Sequence, residues 1–198
     1  DDVWSAAVAE ALRRLDRLTG ELQEAVLRSR MLAIGTAWSK LPRLVRDLAH
    51  ALGKSITLEL QGGETELDRE LLEMIKDPLT HMVRNAADHG LESPAERRRR
   101  GKAATGTIRL AARQEGGHVI IEIADDGRGL DAGRIAALAV AQGLARPPEL
   151  AAMPEGERLD YIFHPGFSTA TTVTTVSGRG VGMDVVRTNI ARIGGAVP

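Results

Sequence analysis

The sequence predicts an α+β fold: an α/β sandwich with an antiparallel or mixed sheet covered on one face, preceded by a long N-terminal helix. Three observations predict it. Two strand-like runs, 107–114 and 119–124, flank Gly116-Gly117 and read as a hairpin. Helical segments lie beside them in sequence, and such groupings pack as layers. The first thirty residues carry a seven-residue apolar repeat.

In chain order, residues 3 to about 50 read as helix. Val8, Leu12, Leu15, Thr19, Leu22, Val26 and Ser29 recur at alternating spacings of 4 and 3, with Arg and Glu between them. A helix that long cannot bury its stripe against itself, and this seam lies far from the motifs below, so a second subunit is favoured over the chain's own globular part. Gly35 and Pro42 interrupt the pattern as kinks or a hinge. Gly53 closes the section, and Ile56–Leu60 alternates as a strand ended by Gly62-Gly63. Residues 68–88 are helical, with Leu71, Leu72, Ile75, Leu79, Met82 and Val83 inward, and Pro78 bends the helix or marks a boundary. The run Arg97–Arg100 reads as a solvated loop or helix end. Residues 131–143 and 155–163 are helical, 167–177 form a Thr- and Ser-rich mobile loop, and 181–193 form a helix that starts at a glycine run.

With 198 residues, 43% of them hydrophobic and 27% charged, the chain has the composition of an ordinary globular protein with one good core. A net charge of −1 argues against a general nucleic-acid binder. The absence of cysteine excludes disulfides and thiolate metal sites and fits a reducing cytoplasm. No apolar run approaches a membrane span of about 18–20 residues, so neither membrane insertion nor a signal peptide is expected.

Three motifs carry chemistry. The run His81–Gly90 holds His81 and Asn85 one helical turn apart, on one face. An amide oxygen there is a hard ligand suited to magnesium that also keeps waters and phosphate oxygens. The string Asp125-Asp126-Gly127-Arg128-Gly129 places a carboxylate at a strand end, where it can accept from a ligand N–H₂ such as that of adenine. Spacing alone does not separate Asp125 from Asp126. Gly178-Arg179-Gly180-Val181-Gly182 offers backbone N–H groups at a helix start, favourable to phosphate. It is neither a Walker A loop nor a dinucleotide fingerprint, because no Gly-Lys-Ser/Thr follows and no strand precedes it. Together the motifs describe a pocket for a nucleotide and its divalent cation.

In order, they resemble the N, G1, F and G2 boxes of the GHKL, or Bergerat, ATP-binding fold. The likeness is closest to CheA-type chemotaxis histidine kinases. It is carried by Leu41–Leu48 (LPRLVRDL), His81–Glu92 (HMVRNAADHGLE), Ile123–Leu130 (IADDGRGL), Ile162–Thr169 (IFHPGFST) and Val176–Val186 (VSGRGVGMDVV). The resemblance implies a GHKL α/β sandwich with a mixed, mainly antiparallel sheet. It also implies a dimerisation-type helix over 1–50, as a partial hairpin, and an ATP-binding kinase domain over 51–198 that lacks the fold's final strands. Asn85 is implied to hold Mg²⁺ between phosphates, and His81 to stand near the γ-phosphate as the other catalytic residue. Arg84 and His89 would flank the triphosphate, with Arg134 near the phosphates and Asp88 among the ATP-binding residues. Asp125 would take the adenine amino group, with Gly127 and Gly129 passing the base. Phe163, Phe167 and Ser168 would form the base of a lid over ATP, and Gly178, Arg179, Gly180, Val181 and Gly182 would wrap the phosphates.

By the same resemblance the cofactors are ATP and Mg²⁺. The partners are a histidine-phosphotransfer domain, response regulators, a second copy of the chain through the N-terminal helix, and, through parts not in this chain, a coupling adaptor and chemoreceptors. Gyrase-type members of the superfamily usually carry Glu four residues before the Asn, as a base for water; His81 stands there instead, which favours a kinase over an ATPase. An ATPase and a catalytically silent, nucleotide-sensing dimerisation scaffold are the competing readings.

Overall fold

The computed structural model describes residues 2–167 and 183–197. Helix α1 (Asp2–Arg30) leads into strand β1 (Met31–Ala33), a single turn α2 (Gly35–Trp38) and helix α3 (Leu41–Leu52). Strands β2 (Ile56–Gln61) and β3 (Glu66–Asp68) follow, then helix α4 (Arg69–Asn85), a π-helical turn (Ala86–Gly90) and helix α5 (Pro94–Arg99). The hairpin β4 (Gly106–Glu115) and β5 (His118–Asp125) precedes helices α6 (Ala132–Ala141), α7 (Pro147–Ala152) and α8 (Glu155–Leu159), with a 3₁₀ turn at Asp160–Phe163. Helix α9 (Met183–Arg192) ends the described structure.

The main sheet has the order β2-β4-β5. β2 runs parallel to β4, with Ile56 opposite Gly106, and β4 runs antiparallel to β5, with Ile108 opposite Asp125. The sheet is therefore mixed, as expected. Parallel strands need a long crossover, and here it contains β3, α4, the π turn and α5. Gly116 and Gly117, at φ 58° and 79°, make the tight hairpin turn that the sequence indicated.

On β4 the alternation decides the faces. Ile108, Leu110 and Ala112 are buried, whereas Arg109 and Arg113 point to solvent. Arg109 pairs with Glu59 at 2.9 Å, and Arg113 pairs with Glu115 and Glu122, so the outer face is polar. The inner face packs on Trp38, Leu41, Val45 and Leu48 from α2 and α3, and on Leu72, Ile75, Leu79 and Val83 from α4. A sheet covered on one face is the predicted layer arrangement.

One expectation changes, and one of two alternatives is excluded. Residues 31–52 do not prolong the N-terminal helix: Met31–Ala33 pair antiparallel with Glu66–Asp68, and Ile34, Trp38, Leu41, Val45 and Leu48 enter the main core. Large apolar side chains at 34, 38, 41, 45 and 48 find more burial there than a solvated helix would give them. Pro78 lies inside α4 and does not end it. The ring is buried, and the continuous apolar stripe holds the helix together through the lost backbone bond.

Helix α1 stands apart from this core. Leu12 and Leu22 remain 57% and 66% exposed, and Val8, Leu15 and Val26 are similarly open, so the seam is not covered by the described residues. Its last turn is tied to the start of α4: Arg30 pairs with Asp68 at 3.1 Å and with Glu70 at 3.2 Å. A second, smaller cluster of Ile135, Ala139, Leu150 and Phe167 holds α6, α7 and the 3₁₀ turn together.

Candidate functional site

Helix α4 carries the first motif. Asp68 caps its N-terminus through Glu70 N–H, and the stripe Leu72, Ile75, Leu79 and Val83 fixes its rotation on the sheet. That rotation leaves His81 and Asn85 half-buried on a neighbouring face. The Asn85 amide donates from Nδ2 to His81 Nε2 at 3.1 Å and to Met183 Sδ of α9 at 3.5 Å. With Nδ2 committed in this way, Oδ1 is left as the acceptor a cation would need. Burial, aided by the Arg84 charge, lowers the His81 pKa, which keeps the ring neutral and able to accept from Asn85. No cluster of three acidic, His or Cys ligands exists among the described residues. The fit is therefore to a cation that takes one amide oxygen and completes its shell with phosphates and water, as magnesium does.

After Asn85 the helix widens into the π turn, closed by Leu91 N–H to Ala86 O at 2.8 Å. Such turns are frequent at functional sites. This one carries Asp88 and an exposed His89, whose ring lies 3.6 Å from the Asp88 carboxylate. Lys54 caps the turn, donating to Ala87 O at 2.8 Å and to Asp88 O at 2.6 Å. Burial lowers the Lys54 pKa, and the Asp88 charge opposes that shift.

The turn ends against the second motif. Arg128 N–H donates to Gly90 O at 2.9 Å. A Cβ on Gly127 would lie 2.1 Å from the same oxygen, so position 127 has no room for any side chain. The two aspartates separate clearly. Asp126 accepts from Thr107 N–H at 2.9 Å and from Arg97 Nη2 at 2.8 Å, so both its oxygens serve the fold. Asp125 is exposed, and among the described residues only its Oδ1 is engaged, by Gly127 N–H at 2.9 Å. The sequence left this choice open; geometry leaves Asp125 as the carboxylate available to a ligand.

The arginine run ends α5 with Arg98, Arg99 and Arg100 exposed, as expected, and only Arg97 departs from that expectation. Arg97 is 1% exposed and forms a buried ion pair with Glu92, also 1% exposed, at 3.2 Å. Ser93-Pro94 was the available signal: Ser93 caps α5 and Pro94 opens it, which places the run on a short helix with an inward face. Nothing in the residue types distinguishes the inward arginine from its neighbours. Lys54, Glu92 and Lys102 were missed for the same reason.

The remaining candidates lie in the helical layer. Arg134 sits in the first turn of α6, capped by Asp131 at 3.0 Å. Phe167 is buried in the smaller cluster. Phe163 ends the 3₁₀ turn, with the Arg187 guanidinium of α9 5.1 Å from its ring centre. Helix α9 thus touches both Asn85 and Phe163. Ser168, Gly178, Arg179, Gly180, Val181 and Gly182, and the expected mobile loop, fall outside the described residues.

The chain is similar to known proteins. A family described as "Histidine kinase-, DNA gyrase B-, and HSP90-like ATPase" matches residues 74–198. The chain belongs to this family of GHKL ATP-binding domains. Within it, the likeness is to chemotaxis kinases of the CheA type. The "Chemotaxis protein CheA" of Klebsiella aerogenes is 49% identical over 197 residues, covering 100% of this chain and 30% of that protein. That of Treponema pallidum is 48% identical over 185 residues, covering 93% and 22%. The "Sensor histidine kinase CheAY" of Helicobacter pylori is 46% identical over 188 residues, covering 95% and 23%. The chain spans less than a third of the length of these relatives. Among the described residues no helix is long and apolar enough to cross a membrane.

Two expectations follow from the geometry. Gly127→Ala drives a methyl into the Gly90 carbonyl and should cost at least about 1–3 kcal/mol. Gly129→Ala has open space but keeps φ at 70°, and should cost about 1–2 kcal/mol. Urea unfolding of both variants checks the order. The second concerns acid. Burial pushes the Glu92 pKa up, but the Lys102 hydrogen bond, the Glu92 N–H and the Arg97 charge outweigh it, so the net shift is below 4.5. Asp126 is likewise shifted below 3.8: burial opposes the shift, while the Thr107 N–H and Arg97 produce it. A carboxylate whose folded pKa is depressed stabilises fully above its unfolded pKa and loses that contribution as pH falls through the folded value. Stability should therefore fall as pH drops below about 4.5. Glu92→Gln should flatten that acid limb in unfolding curves taken between pH 6 and pH 3.

Proposed function

We propose that this chain is the ATP-binding catalytic part of a chemotaxis histidine kinase. It transfers the γ-phosphoryl group of Mg-ATP to a histidine on a separate phosphotransfer domain. The observation that carries the reading is the His81–Asn85 pair. A neutral imidazole that accepts a hydrogen bond from the Asn amide is a poor base for water, whereas a carboxylate in its place would activate water and waste the phosphate.

In this reading Asn85 Oδ1 ligates the metal ion, and His81 holds the Asn amide in the ligating rotamer and stands near the γ-phosphate. A magnesium ion held there would supply positive charge against the phosphates. Arg84 and His89 flank the triphosphate, Arg134 lies near the phosphates, and Asp88 belongs to the same ATP-binding set. Asp125 accepts from the adenine amino group, and Gly127 and Gly129 let the base lie against the backbone. Phe163 and Phe167 anchor the base of a lid continued by Ser168. Gly178, Arg179, Gly180, Val181 and Gly182 wrap the phosphates. The acceptor's ring nitrogen attacks the γ-phosphorus while the bond to the β–γ bridging oxygen breaks and ADP leaves. The protein contributes position and charge, with no covalent step of its own.

The dimerising element is α1, whose open leucine seam pairs with a second copy. Residues 31–52, placed by sequence within a dimerisation segment of 1–50, pack with the catalytic layer of 51–198. Response regulators receive the phosphate downstream, and a coupling adaptor and chemoreceptors act through other parts of the longer protein.

Incubated with γ-labelled Mg-ATP and an added histidine-phosphotransfer domain, the chain should label the acceptor. Asn85→Asp and His81→Gln should each reduce that labelling by at least about 100-fold, the size of a lost electrostatic or acid–base contribution. ATP binding with no label on any acceptor, or hydrolysis unaffected by acceptor, would sink the kinase reading. Light scattering tests the seam: the chain should be dimeric, and Leu15→Glu with Leu22→Glu should make it monomeric.

A further inference from the structure

Asp125 and its glycine turn are held from behind by charges that take no part in the steps above. Arg97 donates to three segments, and two of its bonds go to Asp126. Nε donates to Ala103 O at 2.7 Å, Nη1 to Glu92 Oε2 and to Asp126 O, each at 3.2 Å, and Nη2 to Asp126 Oδ2 at 2.8 Å. Lys102 continues the network. Its Nζ donates to Glu92 Oε1 at 3.0 Å, Asp126 O at 3.0 Å and Gly127 O at 2.7 Å. Thr107 N–H holds the other Asp126 oxygen at 2.9 Å. Both peptide carbonyls that follow Asp125 are therefore gripped by cations, and the next side chain is gripped twice. Among the described residues the Asp125 carboxylate has only the Gly127 N–H, which belongs to the same turn. The direction in which its carboxylate points is set by residues that do not face the ligand.

We propose that Arg97 and Lys102 are positioning residues for base recognition. They fix the Asp126-Gly127 turn so that Asp125 meets the amino group of an adenine ring, and so set the preference for adenine over a purine without that group. The inference rests on Asp125 as the adenine contact. Binding these carbonyls satisfies main-chain acceptors and also fixes where the turn lies, so a purely stabilising network would weaken every ligand alike, whereas a positioning one acts on the adenine contact. Carbonyl contacts fix position, and recognition at this site is sensitive to position on the scale of 1 Å.

The test compares ATP with inosine triphosphate, which carries a carbonyl in place of the adenine amino group and a proton on N1 in place of an acceptor. Affinities for both are measured by calorimetry on the chain and on Arg97→Met, Lys102→Met and Asp125→Ala, with folding checked by circular dichroism. The unsubstituted chain should prefer ATP, and Asp125→Ala should erase the preference. Arg97→Met and Lys102→Met should weaken ATP by roughly tenfold, the size of one charged hydrogen bond, and inosine triphosphate by less than about twofold. Should Arg97→Met fail to fold, Lys102→Met decides, because its side chain is one-third exposed and its loss leaves Arg97 paired with Glu92. Equal weakening of both ligands, or no change in either, while Asp125→Ala still erases the preference, would overturn the positioning role and leave the proposed function standing. No effect of Asp125→Ala on the preference would remove the adenine assignment and the positioning role together.

Discussion

The ion pair between Glu92 and Arg97 is the contact on which the rest of the site depends. It lies at a junction of four segments: the end of the π turn, helix α5, the loop that enters β4, and the turn that leaves β5. Two fully buried charges are costly unless each is paired and its remaining hydrogen-bonding capacity is met. Here Glu92 takes Arg97 on one oxygen and Lys102 on the other, and Arg97 donates to Asp126 and two main-chain carbonyls. The penalty is offset only when all four segments are in place, which ties the first motif to the second. Gly127 adds a steric constraint to the same junction, because the Gly90 carbonyl occupies the space of its missing side chain.

A second cation serves the other side of the π turn. A helix that ends in the interior leaves carbonyls unpaired, and Lys54 meets two of them from the loop after α3. The motif that carries Asn85 is therefore supported at its end by charges from both directions in sequence, one 33 residues before the turn and others following it.

Much of this could be read from residue order. The alternation on β4, the glycine pair of the hairpin and the stripe on α4 each specify one face, so sheet, turn and helix were legible. The motifs were legible because glycine, aspartate and asparagine occur there in combinations that packing does not require. Two things were not. Short β1 and β3 form only by pairing across more than thirty residues, and three-residue runs have too little alternation to signal a strand. Arg97 was hidden in a run of four identical residues, where burial is decided by the angle at which α5 meets the sheet. The choice between Asp125 and Asp126 was hidden likewise, since it turns on Thr107 and Arg97, distant in sequence from both.

The parallel pairing of β2 with β4 also has a meaning for the history of each molecule as it folds. The crossover between these strands carries His81, Asn85, the π turn and Arg97, and its ends are joined by contacts such as Ser55 to Thr105, 50 residues apart. Closing so long a loop costs entropy before the contacts that reward it can form, and such pairings are slow. Asn85 can be helical early, from local contacts alone, but it has no fixed relation to Asp125 until Ile56 lies beside Gly106 and Ile108 beside Asp125. The relative placement of Asn85 and Asp125 thus depends on long-range pairing of the sheet and not on the helices alone.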